Sequence, residues 1–285
     1  AGNLDISGIR ANCEFLLERG IQCIMPMCGT GLVYDATLAE YEECIATVVE
    51  TVGDKATVVP GIGPGFGHSL EMGHIAKSVG VSGVMIMPIV GPASAKGVDI
   101  GMQRIIERVN QPVVIYQRRL DIMPIKQIVG LCKLDGVIGL KYAVDDIGTF
   151  DTIVEQVNSD AALLCGMAED PAVEYLKAGA VGYSSGMANF VPKTSLTMLN
   201  RFRSGDLNGA EEIRSILVPF EDFRGEKQAR YSGSALHSAM DYAGLAAGPV
   251  VPFAEEVSDE DIPRLKEMLS KILRLEQALV TERTG

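Results

Sequence analysis

A lysine is the last residue but one of the short apolar run Val137-Ile138-Gly139-Leu140-Lys141-Tyr142, and it is the residue whose possible chemistry is easiest to state. A run of this length between turn residues is typical of a buried parallel strand. An ammonium held among aliphatic side chains is costly, so such a lysine either reaches water or loses its proton. The neutral amine is a nucleophile that can form a Schiff base with a ketone. A strand-end lysine that reaches solvent is the commoner case. Whether Lys141 is catalytic therefore depends on the residues around it.

Tyr116 closes the preceding apolar run, residues 112–117. Neighbouring strands lie about 5 Å apart, so a phenol and an amine at matching heights can exchange a proton. We therefore predict that Lys141 and Tyr116 are the catalytic residues. The alternative for Tyr116 is a core aromatic ring whose hydroxyl is satisfied elsewhere.

Further candidates lie where other predicted strands end. The turn Gly29-Thr30-Gly31 can offer backbone N–H groups to a carboxylate, although glycine also favours a plain tight turn. Arg118 can clamp a substrate carboxylate, and the alternative is that Arg118-Arg119 is a solvated pair. Ser185 ends the last predicted strand, and Asn189 follows that strand.

The elements that must position these residues alternate along the chain. Apolar, β-branched runs predict strands, most of them followed by a helical pattern, at residues 22–28, 56–62, 82–89, 112–117, 137–142, 162–166 and 181–185. Their nearly continuous apolar character is typical of a parallel α/β sheet covered on both faces. In a barrel of this kind the chemistry lies at the carboxyl ends of the strands, where the candidates fall.

These seven predicted strands are one short of a (β/α)8 TIM barrel, because the first predicted element is a helix at residues 5–19. We predict a missing strand before Ala1, with Gly2-Asn3 as the turn that follows it; an open sheet is the alternative. The domains are then residues 1–190, the barrel without its usual first strand, and residues 191–285, the last barrel helix and a C-terminal helical appendage.

Composition argues against several classes of partner. A net charge of −12 repels nucleic acid, and no apolar run approaches the ~20 residues that a membrane span needs. No signal-peptide pattern opens the chain, and six cysteines without a CxxC pair favour core thiols in a reduced cytoplasm. The three histidines form no HxxxH or HxH pair, so we expect no metal. We also expect no cofactor, since a lysine imine can serve as the electron sink.

The motifs, taken in order, resemble the class I Schiff-base lyases of the dihydrodipicolinate synthase and N-acetylneuraminate lyase superfamily. The resemblance spans essentially the whole chain and rests on Cys28-Gly29-Thr30-Gly31, Val114-Ile115-Tyr116-Gln117, Gly139-Leu140-Lys141 and Gly248-Pro249-Val250-Val251-Pro252. Within the superfamily the chain looks most like the 5-dehydro-4-deoxyglucarate dehydratases, on the segments Tyr183-Ser184-Ser185, Asn189-Phe190 and Pro192-Lys193-Thr194.

The resemblance implies a role for each candidate. Lys141 would form the imine and Tyr116 would relay protons. Gly29 and Thr30 would bind the C1 carboxylate of the substrate. Ser185 and Asn189 would contact the sugar-acid chain. The resemblance also implies a homotetramer.

The sequence departs from the dehydratase pattern at positions expected to line or border the pocket. Leu32 stands where a glutamate usually follows the Gly-Thr-Gly turn, and Gln117 stands where an asparagine usually follows the tyrosine. Tyr142-Ala143 stands where Asp-Gly usually follows the lysine. Dihydrodipicolinate synthase itself is disfavoured, because its two consecutive threonines fall at Gly29-Thr30 and its substrate arginine falls at Asp121.

We therefore predict a Schiff-base lyase that acts on a 2-oxo acid. The favoured reaction is a decarboxylating dehydration of a deoxy-oxo sugar acid such as 5-dehydro-4-deoxyglucarate. The first alternative is a class I aldolase that cleaves a 2-keto-3-deoxy or 4-hydroxy-2-oxo acid to pyruvate and an aldehyde. The second is a non-catalytic homologue, which Leu32 and Tyr142 keep open.

Overall fold

The computed structural model describes residues 4–158 and 160–281, in which parallel strands alternate with helices. The strands are β1 (Cys23–Ile24), β2 (Thr57–Val58), β3 (Gly61–Ile62), β4 (Val84–Ile86), β5 (Val113–Gln117), β6 (Val137–Tyr142), β7 (Ala162–Cys165) and β8 (Gly182–Tyr183). The helices are α1 (Ile6–Glu18), α2 (Leu38–Val52), α3 (Phe66–Val79), α4 (Ala95–Val109), α5 (Ile125–Cys132), α6 (Ile147–Val157), α7 (Ala172–Lys177), α8 (Pro192–Arg203), α9 (Leu207–Ala229), α10 (Ser234–Tyr242) and α11 (Ile262–Thr281).

The strands pair in parallel and in chain order, except that β2 and β3 do not pair with each other. β1 pairs with β2, and β3 to β8 pair one after another in chain order. The ladder beside β1 continues past β2, because the Gly61 N–H donates to the Pro26 carbonyl oxygen at 3.2 Å. β2 and β3 therefore occupy one strand position, interrupted at Pro60, which has no N–H to donate. The predicted parallel α/β arrangement is confirmed, while the predicted turn at Gly2-Asn3 lies outside the described residues.

The strand predicted at residues 22–28 is shorter than expected, with only Cys23–Ile24 in the ladder. Pro26 lacks a backbone donor, and Met27 takes a left-handed conformation with φ 49°. These two residues turn the chain out of the sheet early. The turn at Gly29-Thr30-Gly31 is therefore approached through a loop.

The strands and the C-terminal helices fall into two compact units. The strand unit comprises Gln22–Met167 and Glu174–Ser184 and holds all the strands of the described residues. The helical unit comprises Ala1–Ile21, Ala168–Val173 and Ser185–Gly285, and it holds the predicted C-terminal helices. The division predicted between residues 190 and 191 stays a prediction. No helix in the described ranges has both the length and the apolar character needed to cross a membrane.

All six cysteines lie within the described residues, and none is part of a disulfide bond. Five of them are buried, which agrees with the predicted core role. Cys23 differs: it is exposed at the first position of β1, at the amino end of that strand.

Candidate functional site

Lys141 and Tyr116 are direct partners across the β5–β6 pair. Register partners in a sheet project from the same face, so the two side chains meet. The Lys141 Nζ lies 4.0 Å from the centre of the Tyr116 ring. The ammonium thus rests over the ring face in a cation–π contact, and proton exchange with the phenol oxygen requires it to move toward the ring edge. The structure brings the two predicted catalytic residues together.

Glycine at position 166 leaves space beside the lysine. Gly166 follows β7, and its N–H donates to the Tyr142 carbonyl oxygen at 2.6 Å. A Cβ atom at this position would lie 3.0 Å from Lys141 Cγ and 2.8 Å from Ala143 Cβ. Any side chain here would push against the stem of Lys141, so a glycine is required for the observed position of the lysine.

The Gly29-Thr30-Gly31 turn directly follows Cys28, a buried thiol whose pKa is affected by the charge of Lys141. Burial raises the pKa of the Cys28 thiol to about 12, and the positive charge of Lys141 opposes that rise. Cys28 therefore lies within electrostatic range of the lysine but stays protonated, so it is not a competing nucleophile. Gly29 and Thr30 come directly after it and are exposed, so their backbone groups are accessible to a ligand.

The two arginines after β5 differ in their surroundings. Arg119 donates to Asp121 through two nitrogens, at 3.2 and 2.6 Å, and both side chains are exposed. Arg118, the predicted substrate ligand, is exposed at the rim of a small cleft. The cleft is lined by Pro88, Ile89, Val98, Tyr116, Gln117, Arg118, Arg119, Ile122 and Met123.

Tyr34 is a site residue that sequence reasoning missed. Burial raises the pKa of its phenol above the ordinary value; the nearby Tyr116 adds to the rise, and the Arg118 guanidinium opposes it. Tyr34 is nevertheless 47% exposed, so part of this residue is open to solvent. The sequence offered a hint in the aromatic residue three positions after Gly31.

Two of the departures from the dehydratase pattern do not project on the lysine side of the sheet. Residues next to each other in a strand point to opposite faces, so Tyr142 and Gln117 face away from Lys141 and Tyr116. Tyr142 is fully buried and packs its ring 5.3 Å from that of Phe150 in α6. Gln117 is also fully buried and donates through Nε2 to the Met123 carbonyl oxygen at 3.0 Å. The expectation that Tyr142 borders the pocket was wrong, because strand alternation turns it toward the helices.

This geometry predicts that Tyr142→Phe leaves catalysis nearly intact. Its hydroxyl donates only weakly, at 3.4 Å, to the Asp146 carbonyl oxygen. We expect kcat/KM within about twofold of the wild type and a loss of less than about 1 kcal/mol in unfolding free energy. The matched control is Tyr116→Phe on the neighbouring strand, where loss of a proton relay should lower kcat by about 100-fold. Steady-state kinetics on both variants would reject this assignment if Tyr142→Phe were the more damaging change.

Asp146 has a structural role at the start of α6. Its carboxylate accepts from the Thr149 N–H at 3.0 Å and from the Thr149 hydroxyl at 2.6 Å, capping α6. In the described part of the chain, no group of three or more histidine, cysteine, aspartate or glutamate side chains is placed to hold a metal ion.

Ser185 and Asn189, the remaining predicted ligands, lie in the helical unit. The Ser185 hydroxyl donates to a carboxylate oxygen of Glu169 and accepts from the Ala188 N–H at 2.8 Å. The Asn189 side-chain amide donates to the Gly186 carbonyl oxygen at 2.9 Å. Both polar groups are thus held by the protein itself, and their contact with a substrate stays a prediction.

Comparison with known proteins gives a consistent picture. The model of the dihydrodipicolinate synthetase family matches residues 1–272. A probable 5-dehydro-4-deoxyglucarate dehydratase of Bacillus subtilis is 27% identical over 267 residues, covering 90% of this chain and 85% of that protein. A 4-hydroxy-tetrahydrodipicolinate synthase of Methanospirillum hungatei is 28% identical over 277 residues, covering 94% and 93% of the two chains.

A solved structure extends this similarity to the fold. The crystal structure of dihydrodipicolinate synthase from Oceanobacillus iheyensis is 33% identical, superposes with a TM-score of 0.90, and covers 93% of this chain and 89% of that chain. The predicted (β/α)8 barrel with extra C-terminal helices is confirmed by this likeness together with the parallel strand order.

Proposed function

Since the chain belongs to the dihydrodipicolinate synthetase family, whose members are class I lyases, we propose that it dehydrates a deoxy-oxo sugar acid, with 5-dehydro-4-deoxyglucarate as the favoured substrate. The observation that carries this proposal is the pairing of Lys141 with Tyr116 across β5 and β6, with Nζ 4.0 Å from the ring centre. The relative from Bacillus subtilis named as a probable 5-dehydro-4-deoxyglucarate dehydratase supports the choice of substrate.

In the proposed mechanism the Lys141 ammonium first gives one proton to solvent, and the neutral amine then attacks the C2 carbonyl carbon of the substrate. A proton moves from the nitrogen to the oxygen to give the carbinolamine, and Tyr116 donates a second proton to that oxygen, which leaves as water and yields the protonated imine. The imine draws electrons from C3, so the C3 proton passes to the Tyr116 phenolate and an enamine forms. The enamine electrons expel the C4 hydroxyl, which takes the proton back from Tyr116 and leaves as water. The bond between C5 and the distal carboxylate then breaks to release carbon dioxide, its electrons pass through the new double bond to the imine, and protonation and hydrolysis by water restore Lys141.

The remaining residues bind the substrate in this proposal. Gly29 and Thr30 offer exposed backbone N–H groups to the C1 carboxylate. Arg118 supplies a guanidinium that can hold a carboxylate through two hydrogen bonds. Ser185 and Asn189 are proposed to contact the hydroxyl-bearing chain.

A class I aldolase is the second candidate. It uses the same imine, and relatives of similar identity carry a synthase name instead of a dehydratase name. In an aldolase the enamine forms by cleavage of the bond between C3 and C4, so the products are pyruvate and an aldehyde. The products formed therefore separate the two reactions.

The test is trapping with sodium borohydride, which reduces the imine to a stable amine. Incubation with 5-dehydro-4-deoxyglucarate, a 2-keto-3-deoxy sugar acid or pyruvate, followed by reduction and peptide mass analysis, should place the adduct on Lys141. Release of carbon dioxide supports the dehydratase, and release of pyruvate with an aldehyde supports the aldolase. Failure to trap an adduct with any of these acids would favour a non-catalytic homologue.

We also propose the homotetramer and cytoplasmic location that the resemblance implies. Light scattering of the purified protein measures the number of subunits directly. A mass other than that of four chains would refute the tetramer without touching the imine chemistry.

A further inference from the structure

Glu169 is a buried carboxyl group that the proposed mechanism does not use. It lies in the segment between β7 and α7, within the helical unit, and is fully buried. One carboxylate oxygen accepts hydrogen bonds from the hydroxyls of Ser185 and Ser195, the second at 2.7 Å. The other oxygen, Oε2, has no hydrogen-bond partner among the described residues. Burying a carboxyl group with one oxygen unsatisfied costs free energy, so a functional role can explain its presence.

Ser185 depends on this carboxyl for its orientation. A hydroxyl has one proton to donate, and Ser185 gives it to Glu169 while its oxygen accepts from the Ala188 N–H. Ala188 lies in the short 3₁₀ turn Met187–Asn189. Glu169 therefore fixes Ser185 and, through it, the turn that carries Asn189.

Gly186, in the same segment, lies close to neighbouring side chains. A Cβ atom at Gly186 would lie 2.9 Å from Leu236 Cδ1 and 3.6 Å from Arg224 Nη1. Ser195, the second donor to Glu169, belongs to α8. The carboxyl group thus ties the residues after β8 to α8.

We propose that Glu169 is a positioning residue whose carboxylate holds Ser185 and the turn Met187–Asn189 in the conformation that binds the substrate chain. This inference rests on the proposed function, in which Ser185 and Asn189 contact that chain. Glu169 itself is not assigned a contact with the substrate.

The charges around Glu169 make its ionisation depend on pH in the neutral range. Burial raises the pKa of Glu169 to about 7, the negative charge of Glu221 in α9 adds to the rise, and the hydrogen bonds from Ser185 and Ser195 oppose it. Glu221 is bound by Arg224 at 2.7 and 2.9 Å.

Glu221 has further charged neighbours. Burial raises the pKa of Glu221, Arg224 opposes the rise, and the negative charges of Asp170 and Asp222 add to it. Arg214 in α9 binds Asp170 at 3.1 Å. Because the folded pKa of Glu169 lies above its ordinary value, ionising Glu169 lowers the folding stability as pH rises from that ordinary value through about 7.

The test compares Glu169→Gln with the wild type across this pH range. A carboxylate accepts a stronger hydrogen bond than a neutral acid or an amide, so the KM of the wild type for 5-dehydro-4-deoxyglucarate should fall about three- to tenfold as pH rises through 7. Glu169→Gln should keep the low-pH value of KM throughout, with its kcat less affected. A glutamine variant that retained the pH dependence of the wild type would overturn the proposal.

Two further variants separate positioning from general damage. Ser195→Ala removes the other donor to the same oxygen, which raises the pKa of Glu169 further. The fall in KM should therefore shift to higher pH, while the KM at high pH stays that of the wild type. A KM held at the low-pH value at every pH, as in Glu169→Gln, would assign the effect to packing instead. Ser185→Ala and the double variant Ser185→Ala/Glu169→Gln should have the same KM, because both changes act through one hydroxyl. Additive effects would contradict this route.

Trapping with pyruvate distinguishes a failure of the proposed Schiff-base function from a failure of the proposed role of Glu169. Pyruvate lacks the hydroxyl-bearing chain, so Glu169→Gln should still form the reduced adduct on Lys141 to the wild-type extent. If the wild type forms no adduct, the proposed function fails. If both proteins trap pyruvate but their KM values for the sugar acid agree at every pH, the function stands and the positioning role is refuted.

Discussion

Lys141→Arg should abolish the reaction while leaving the fold intact. A guanidinium is not deprotonated in proteins and cannot form an imine, whereas it can keep a positive charge over the Tyr116 ring. We expect kcat/KM to fall at least about 1000-fold, equivalent to ~4 kcal/mol in the barrier. Borohydride should trap no adduct with the sugar acid or with pyruvate.

The same substitution at an exposed lysine gives the matched control. Lys133 ends α5 at the surface, so Lys133→Arg should retain wild-type kinetics and trapping. Thermal unfolding of both variants checks that they are folded. Measurable adduct formation in Lys141→Arg would mean that another amine carries the chemistry.

Glu276→Ala should cause the largest loss of stability among the changes considered. Glu276 projects from α11 and is buried, and its two oxygens accept from the N–H groups of Lys193 and Thr194 at 3.0 and 2.7 Å. The second oxygen also accepts from the Thr194 hydroxyl at 2.8 Å. These N–H groups lie in the first turn of α8, where helical N–H groups have no partner within the helix and the helix dipole favours a negative charge.

Removing this carboxylate leaves three donors unpaired, two of which belong to the fully buried Thr194. We expect the free energy of unfolding to fall by about 3 kcal/mol, and by less in Glu276→Gln, which keeps one acceptor oxygen. Urea denaturation followed by circular dichroism measures the change. Glu267→Ala is the control on the same helix: Glu267 is exposed and forms a surface ion pair with Lys271, so the midpoint of this variant should not move. Equal midpoints for Glu276→Ala and the wild type would refute the capping role.

Much of the fold follows from the sequence because parallel strands buried on both faces are almost continuously apolar. β5 is an example: all five of its residues are buried, and its predicted run at residues 112–117 differs from it by one residue. The early end of β1 was less predictable, because it depends on the left-handed backbone of Met27. Propensity gives no reason to place a methionine there.

Some features of the candidate site could likewise be predicted from the sequence and others could not. The meeting of Lys141 and Tyr116 could be predicted, since sequential strands of a barrel are neighbours and both residues lie near strand ends. Strand alternation also predicts that Tyr142 points away from Lys141. The resemblance to the dehydratases instead predicted that Tyr142 borders the pocket. The hydrogen bond between Glu169 and Ser185 could not be predicted from the sequence, because the two residues are 16 positions apart and only the folded chain brings them together.

Cys23 provides a single exposed thiol for labelling or attaching this protein. Cys23 is the exposed member of a fully described set of six cysteines, and it begins β1. A maleimide dye or a surface linker would therefore attach at one defined place without any mutation. That place is the amino end of a barrel strand, whereas Lys141 and Tyr116 lie near the carboxyl ends of theirs. Immobilised or labelled protein should thus present its candidate site away from the point of attachment.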